Sequence, residues 1–200
     1  MLLCEDSEVA AHGVIAQGKK VILRDRIPAD VDRWLYWQTH GEWRKLDAPW
    51  EAFDDAMEPE KEAELREKFI ERCGREPHEP RGLAAIAAVD ETPLGWVNRY
   101  SSKRTSREWY VGIGIAEDGW WNRGLGTEAL RLWVDHLFAK SDFHRLGLTT
   151  WSFNPRMMRV AEKVGFVHEG TLREVREWEG EFLDCMEYGM LRREWEALRR

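Results

Sequence analysis

Arg123-Gly124-Leu125-Gly126-Thr127 follows the apolar run Val111-Gly112-Ile113-Gly114-Ile115 and stands at the head of an amphipathic helix. Two glycines let the backbone turn without Cβ clashes, and the first N–H groups of a helix have no intrahelical partners. Such a turn aims free donors and the positive end of the helix dipole at an anion, so a phosphate-bearing ligand is expected. A Gly-x-Gly pair also serves where two elements merely pack closely, and the glycines alone leave both readings open.

Downstream of the loop the periodicity is sharp. Leu125, Ala129, Leu132, Trp133, His136 and Leu137 fall on one face of a helix, and Leu146 to Trp151 reads as the next strand. Asn154 can cap a further helix carrying Met157, Val160, Ala161 and Val164, which Gly165 stops. Leu172 to Trp178 and Phe182 to Met190 alternate around Glu179-Gly180, a hairpin signal, with a short terminal helix beyond.

Upstream, Lys19 to Arg24 reads as a first strand, and Pro28 and Asp30 open a helix with Val31, Trp34 and Leu35 on its apolar face. Gly41 to Met57 has no clean period and is expected to form loop or short helical turns. Glu58 to Arg72 is a charged helix ending near Gly74; Leu83 to Val89 and Leu94 to Tyr100 form a hairpin, and Trp109 to Ala116 a further strand. Residues 1–18 show no sustained period and read as a flexible extension, leaving 19–200 as a single domain.

A chain of 200 residues fits one domain and can bury about 70% of its unfolded surface. The net charge is −7, with no Lys/Arg block to follow a nucleic-acid backbone, so nucleic acid is not an expected partner. Cys4, Cys73 and Cys185 lack CxxC spacing, which suits reduced thiols in a cytoplasmic protein. The histidines form no ligand spacing, and no metal site is expected. Met1-Leu2-Leu3-Cys4 meets Glu5 and Asp6 at once, so neither a signal peptide nor a membrane span is expected here.

Two rival owners of the glycine loop fail. A Walker A loop needs Gly-Lys-Ser/Thr, whereas Gly126 is followed by Thr127 and Glu128. A dinucleotide fingerprint wants a strand running almost directly into its first glycine, but Ala116 to Arg123 intervene, and the following strand ends in Trp151-Ser152-Phe153-Asn154 without the ribose-binding acid.

From about Val21 to Trp195 the chain resembles the GNAT superfamily of acetyl-CoA-dependent N-acetyltransferases, of the RimJ/RimL type. The resemblance rests on Trp120-Trp121-Asn122-Arg123-Gly124-Leu125-Gly126-Thr127-Glu128-Ala129-Leu130, then Asn154-Pro155-Arg156, Glu162-Lys163-Val164-Gly165-Phe166 and Glu169-Gly170-Thr171-Leu172-Arg173, with Asp184 and Glu194-Trp195. It implies an α/β (α+β) fold whose mixed, strongly twisted central sheet is splayed between its middle strands and flanked by helices, with acetyl-CoA in the splay. The N–H groups of Arg123, Gly124, Leu125, Gly126 and Thr127 would then hold the pyrophosphate, with Trp121 and Asn122 also at the cofactor. The strand edge Ile113, Gly114 and Ile115 would pair with the pantetheine amides. Asn154 and Arg156 would also meet the cofactor; Asn154 serves equally as a plain N-cap.

Transfer of an acetyl group to an amine requires a neutral nucleophile. An amine of pKa near 10 is only about one part in a thousand neutral at pH 7, a penalty of roughly 4–5 kcal/mol. The resemblance implies a tyrosine before the Glu-Lys pair, but Ala161 stands there. The serine used by RimL-like enzymes is replaced by Met157, and the strand glutamate of many relatives by Tyr110. Glu108, Tyr110 and Glu174 are the remaining candidates for proton transfer, with surface charge or packing as their alternative roles. Trp34, Trp43 and Trp50, interleaved with Glu42, Asp47, Glu51 and Asp54, suit a cationic amine acceptor through cation–π and ionic attraction; as core tryptophans and solvated acids they need no ligand. The acceptor is a small cationic amine or a protein N-terminus, and the missing acid and base also suit a catalytically silent acetyl-CoA sensor. The hairpin edge near Phe182 offers a homodimer surface.

Overall fold

The computed structural model describes residues 13–51, 57–101 and 108–200, the side chain of Glu108 excepted. Eight strands form one sheet in the order β1-β2-β3-β4-β5-β6-β8-β7. β1 (Val14–Gln17), β2 (Val21–Arg24), β3 (Leu83–Ala88), β4 (Pro93–Tyr100) and β5 (Glu108–Ile115) form an antiparallel run, each strand antiparallel to the next. β6 (Arg145–Trp151) is parallel to β5, and β8 (Glu181–Leu191) lies between β6 and the edge strand β7 (Val167–Trp178), antiparallel to both. The sheet is therefore mixed, as the resemblance implies.

β5 and β6 are paired only at Glu108↔Arg145, Trp109↔Leu146 and Tyr110↔Gly147. Beyond that point β5 stays in register with β4 to Ile115, and β6 with β8 to Trp151. The two halves of the sheet thus part at their middle, which is the expected splay.

Helix α4 (Leu125–Ala139) covers one face. Leu125, Ala129, Trp133 and Leu137 are buried there, and Leu130, Val134 and Phe138 are buried as well, so the helix is enclosed beyond a single stripe. Val111, Ile113 and Ile115 of β5 and Leu146 and Leu148 of β6 join the same core. Helix α5 (Pro155–Val164) begins at Asn154, whose Oδ1 accepts from the Met157 N–H at 3.0 Å, and stops at Gly165 in the left-handed region. The other face carries α1 (Val31–Thr39), the single turn α2 (Arg44–Asp47) and α3 (Pro59–Cys73), with Val31, Leu35 and Phe69 in a second, smaller core. Helix α6 (Arg192–Ala197) closes the chain; the Trp195 indole donates to Asp135 at 2.7 Å.

Two expectations change. Residues 14–17, read as part of a flexible extension, form the edge strand β1, because Ile15 and Ala16 pack against the core. β7 begins at Val167 rather than Leu172; its exposed, charged surface hides the alternation that marks a half-buried strand. The hairpin turn is as expected, with Glu179 and Gly180 both at positive φ (52° and 83°), the requirement of a type I′ turn.

Candidate active site

A cleft of about 540 Å³ opens where β5 and β6 part. Val111 to Ile115 form one wall and Leu148 to Trp151 the other, with Gly124 to Thr127 at the head of α4 along one side. Because β6 leaves after Tyr110, the edge of β5 from Val111 to Ile115 lacks a strand partner on that side. These are the backbone groups expected to pair with pantetheine amides.

Gly124 is the N-cap of α4 at φ 80°, a conformation that costs L-residues with a Cβ, and Asn122 lies at φ 60°. The first intrahelical bond runs from the Glu128 N–H to the Gly124 carbonyl at 3.1 Å, so the N–H groups of Leu125, Gly126 and Thr127 precede it. Lys20 fixes the loop from the neighbouring β1–β2 turn. Its Nζ donates to the Arg123 carbonyl at 2.7 Å, and its N–H donates to Glu128 Oε1 at 2.9 Å. The sequence reading missed Lys20, which lies 103 residues from its partner and belongs to no motif.

Of the residues expected at the cofactor, Ile113, Gly114, Ile115, Trp121, Asn122, Gly124, Leu125, Gly126, Thr127, Asn154 and Arg156 line the cleft. Arg123 does not; its guanidinium lies 5.2 Å from the centroid of Trp120, and its carbonyl receives Lys20. Trp121 is held by an indole bond to the Ile115 carbonyl at 2.8 Å and carries the Arg156 guanidinium over its ring at 4.6 Å. Asn154 caps α5 while its Nδ2 donates to the Leu46 carbonyl at 3.0 Å, so it also ties α2 to the cleft.

The cleft carries both signs of charge, on different elements. Arg156, Arg159 and Lys163, all on α5, are its basic residues, and Asp47, at the end of α2, is its acid among the described residues. The α5 cations suit phosphates. Around Asp47 the wall is aromatic: Trp43, Trp96, Tyr100 and Trp151 all line the cleft. Trp43 meets Trp96 edge-on at 4.9 Å. Trp96 lies flat across β5, where a Cβ on Gly114 would come within 2.7 Å of its ring. Partial desolvation by the surrounding protein pushes the Asp47 carboxyl above the ordinary range, and the Glu51 carboxylate adds to this, while the residue itself is exposed in the open cleft. Burial likewise raises the Tyr100 phenol, against an opposing hydrogen bond with Thr149.

The structure separates the other candidates. Tyr110 is buried under Tyr100, stacked at 5.7 Å, with its ring over Gly147, and does not line the cleft. Glu108 opens β5, opposite Arg145; its side chain lies outside the described residues. Glu174 is exposed on β7 at φ 54°, its N–H donating to Asp184 at 2.8 Å, outside the cleft lining. Trp43 lines the cleft, whereas Trp34 packs on Phe69 at 5.1 Å in the smaller core. Trp50 sits behind the wall, edge-on to Trp151 at 4.7 Å, with Arg176 over its ring at 4.1 Å. Asp54 lies outside the described residues. Among the described residues no cluster of His, Cys, Asp and Glu could hold a metal ion, and no helix is long and apolar enough to cross a membrane.

Comparison with known proteins points the same way as the geometry. The acetyltransferase (GNAT) domain family matches residues 20–167. A Bacillus subtilis (strain 168) protein named "Putative ribosomal N-acetyltransferase YdaF" is 26% identical over 142 residues, covering 71% of this chain and 77% of the relative. Among solved structures, an acetyltransferase of the GNAT family from Bacillus anthracis superposes with a TM-score of 0.69 at 16% identity, covering 88% of this chain and 98% of that one. The spermidine N-acetyltransferase of Vibrio cholerae, solved with CoA and spermine, gives 0.67 at 19% identity, covering 90% and 99%.

Proposed function

The chain belongs to the GNAT acetyltransferase family and is an N-acetyltransferase, and on that premise we propose that it draws the acetyl group from acetyl-CoA and delivers it to a primary amine that enters from the Asp47 side. The observation that carries this reading is the lining of the cleft, which joins the N–H groups at the head of α4 and three cations of α5 to one carboxylate and a set of aromatic rings.

The donor fits the residues present. Leu125, Gly126 and Thr127 offer backbone N–H groups to a pyrophosphate at a helix N-terminus, and Arg156, Arg159 and Lys163 add charge for further phosphate. The unpaired edge of β5 offers amide partners to the pantetheine arm and N–H donors for a thioester oxygen. Acetyl-CoA supplies an activated acyl carbon. The protein's part is to hold that carbon beside the amine, strip the ammonium of a proton and shield the site from water.

On the acceptor side, aromatic faces favour a cation and repel an anion, and the carboxylate of Asp47 strengthens the preference. A small cationic amine or a protein N-terminus both meet these requirements, and the similarity to YdaF supports the ribosomal, RimJ/RimL-like member of that pair. A cytoplasmic setting agrees with Cys73 and Cys185, neither of which forms a disulfide. The exposed edge strand β7, with Val167, Leu172 and Val175 beside Phe182 of β8, supports a homodimer. The deciding experiment is an acceptor screen that follows thiol release from acetyl-CoA with polyamines, aminoglycosides, arylalkylamines and N-terminal peptides. Release that depends on one amine class identifies the acceptor; release with none refutes amine acetylation.

A further inference from the structure

We propose that Asp47 is the counter-ion of the acceptor's ammonium group and the base that removes its proton, so that the acceptor is a primary ammonium borne on a flat or apolar body. The inference rests on the amine-acetylation reading above and goes beyond it by assigning the base that Ala161, Met157 and Tyr110 leave open.

Asp47 lines the cleft on the acceptor side, and its carboxylate has no hydrogen-bond or ion-pair partner among the described residues. Its neighbours do not neutralise it. Lys45, on the same turn, is paired with Glu42 at 2.8 Å, and Arg44 donates to the Thr39 carbonyl. Glu51, which follows α2, is a second carboxylate acting on it. From β4 it faces the Tyr100 phenol, whose hydroxyl is shared with Thr149 of β6; Cys185 of β8 acts on the same phenol. Arg176 of β7 is engaged over Trp50. An unpaired, solvent-reached carboxylate in the same cleft as the rings of Trp43, Trp96 and Trp151 is open to a ligand cation, which both the charge and the aromatic faces favour.

The position is fixed from behind. Asn154 Nδ2 holds the Leu46 carbonyl, one residue before Asp47, and the same Asn154 starts α5, so base and donor seat are joined through a single side chain. In the reaction the ammonium nitrogen gives a proton to an Asp47 oxygen, and its freed lone pair forms the C–N bond. The thioester C–S bond breaks with its electron pair on sulfur, which then receives the surplus proton of the new amide nitrogen. Asp47 returns its proton to water, and atoms and charge balance. A carboxyl raised above its ordinary range is the better proton acceptor for this step.

The test uses Asp47→Asn in the full chain. In the CoA-bound enzyme, trimethyl(phenethyl)ammonium, which cannot be acetylated, is titrated beside its uncharged carbon isostere. Asp47→Asn should weaken the cation about tenfold and leave the isostere and CoA unchanged. In turnover at pH 7, the variant should lose roughly a hundredfold in kcat/KM with phenethylamine, which arrives protonated, and less than about fivefold with an arylamine that is already neutral. Equal losses with both amines, or no loss with either, would overturn Asp47 as the base; unchanged cation affinity would overturn it as the counter-ion. Wild-type enzyme that binds CoA and acetylates an N-terminal peptide but neither of these amines would overturn the flat or apolar acceptor, whereas one that acetylates no amine at all would remove the amine-acetylation reading and this inference with it. Asp47→Glu, which keeps the charge, should retain cation binding and part of the rate.

Discussion

Gly126→Ala separates the stability of the cradle from its use. Gly126 is the second residue of α4, and a Cβ there would meet Ile115 Cγ1 at 3.7 Å and Ile113 Cδ1 at 4.0 Å, both ordinary contacts. The fold can accept the methyl. Replacing glycine by alanine within a helix stabilises by up to about 1 kcal/mol, which in a domain of this length raises Tm by about 2–4 °C. The same methyl stands on the floor of the cleft, where the N–H groups of Leu125 to Thr127 must reach a phosphate. Displacing that phosphate from one charge-assisted hydrogen bond costs about 1.5–3 kcal/mol, equivalent to a rise in Kd of about ten- to a hundredfold. Urea unfolding of the apo protein and calorimetric titration with CoA measure the two quantities. A variant as stable as the parent that binds CoA with unchanged Kd would refute the placement of the phosphates on this turn.

Gly124→Ala should behave in the opposite way: its φ of 80° penalises the new Cβ by about 1–2 kcal/mol, and Tm should fall by about 2–8 °C by calorimetry. Lys20→Met keeps the stem but frees the Arg123 carbonyl and removes a charge beside the loop; CoA should bind several-fold more weakly, with a shallower salt dependence, and stability should stay within about 0.5 kcal/mol. His136 is buried on α4 and accepts the Arg81 N–H at Nε2, and burial pushes its pKa down despite Glu79. The native state thus stays neutral while the unfolded chain takes up a proton below about pH 6.5, so stability should fall as pH drops through that value toward the lower native pKa. Urea midpoints for wild type and His136→Gln at pH 7.5 and 6.0 should show a smaller slope in the variant.

The donor side was legible because its parts are contiguous. The cradle and the helix behind it occupy one stretch of chain, and both the glycine spacing and the apolar face survive in the sequence. The acceptor side was not. Asp47 sits on a helix of four residues, too short to show a period, and is placed by an asparagine more than a hundred residues away. Tyr100 and Tyr110 are cross-strand partners, and which of them reaches the cleft depends on β6 leaving directly after Tyr110. No pattern of alternation encodes that departure. Trp34 and Trp43 look alike in sequence, yet α3 brings Phe69 onto the first and leaves the second facing Trp96. Strand β1 escaped notice because four residues at a sheet edge carry almost no signal.

The parting of β5 from β6 leaves the middle of the sheet without part of its ladder, so the ligand that restores those rungs belongs to the folding energetics of the protein as well as to its chemistry. A ligand held only by the native state stabilises it by mass action, by about 2.7 kcal/mol at a hundred times its Kd. With acetyl-CoA as the donor proposed above, resistance of this enzyme to unfolding and proteolysis would then track the supply of that donor.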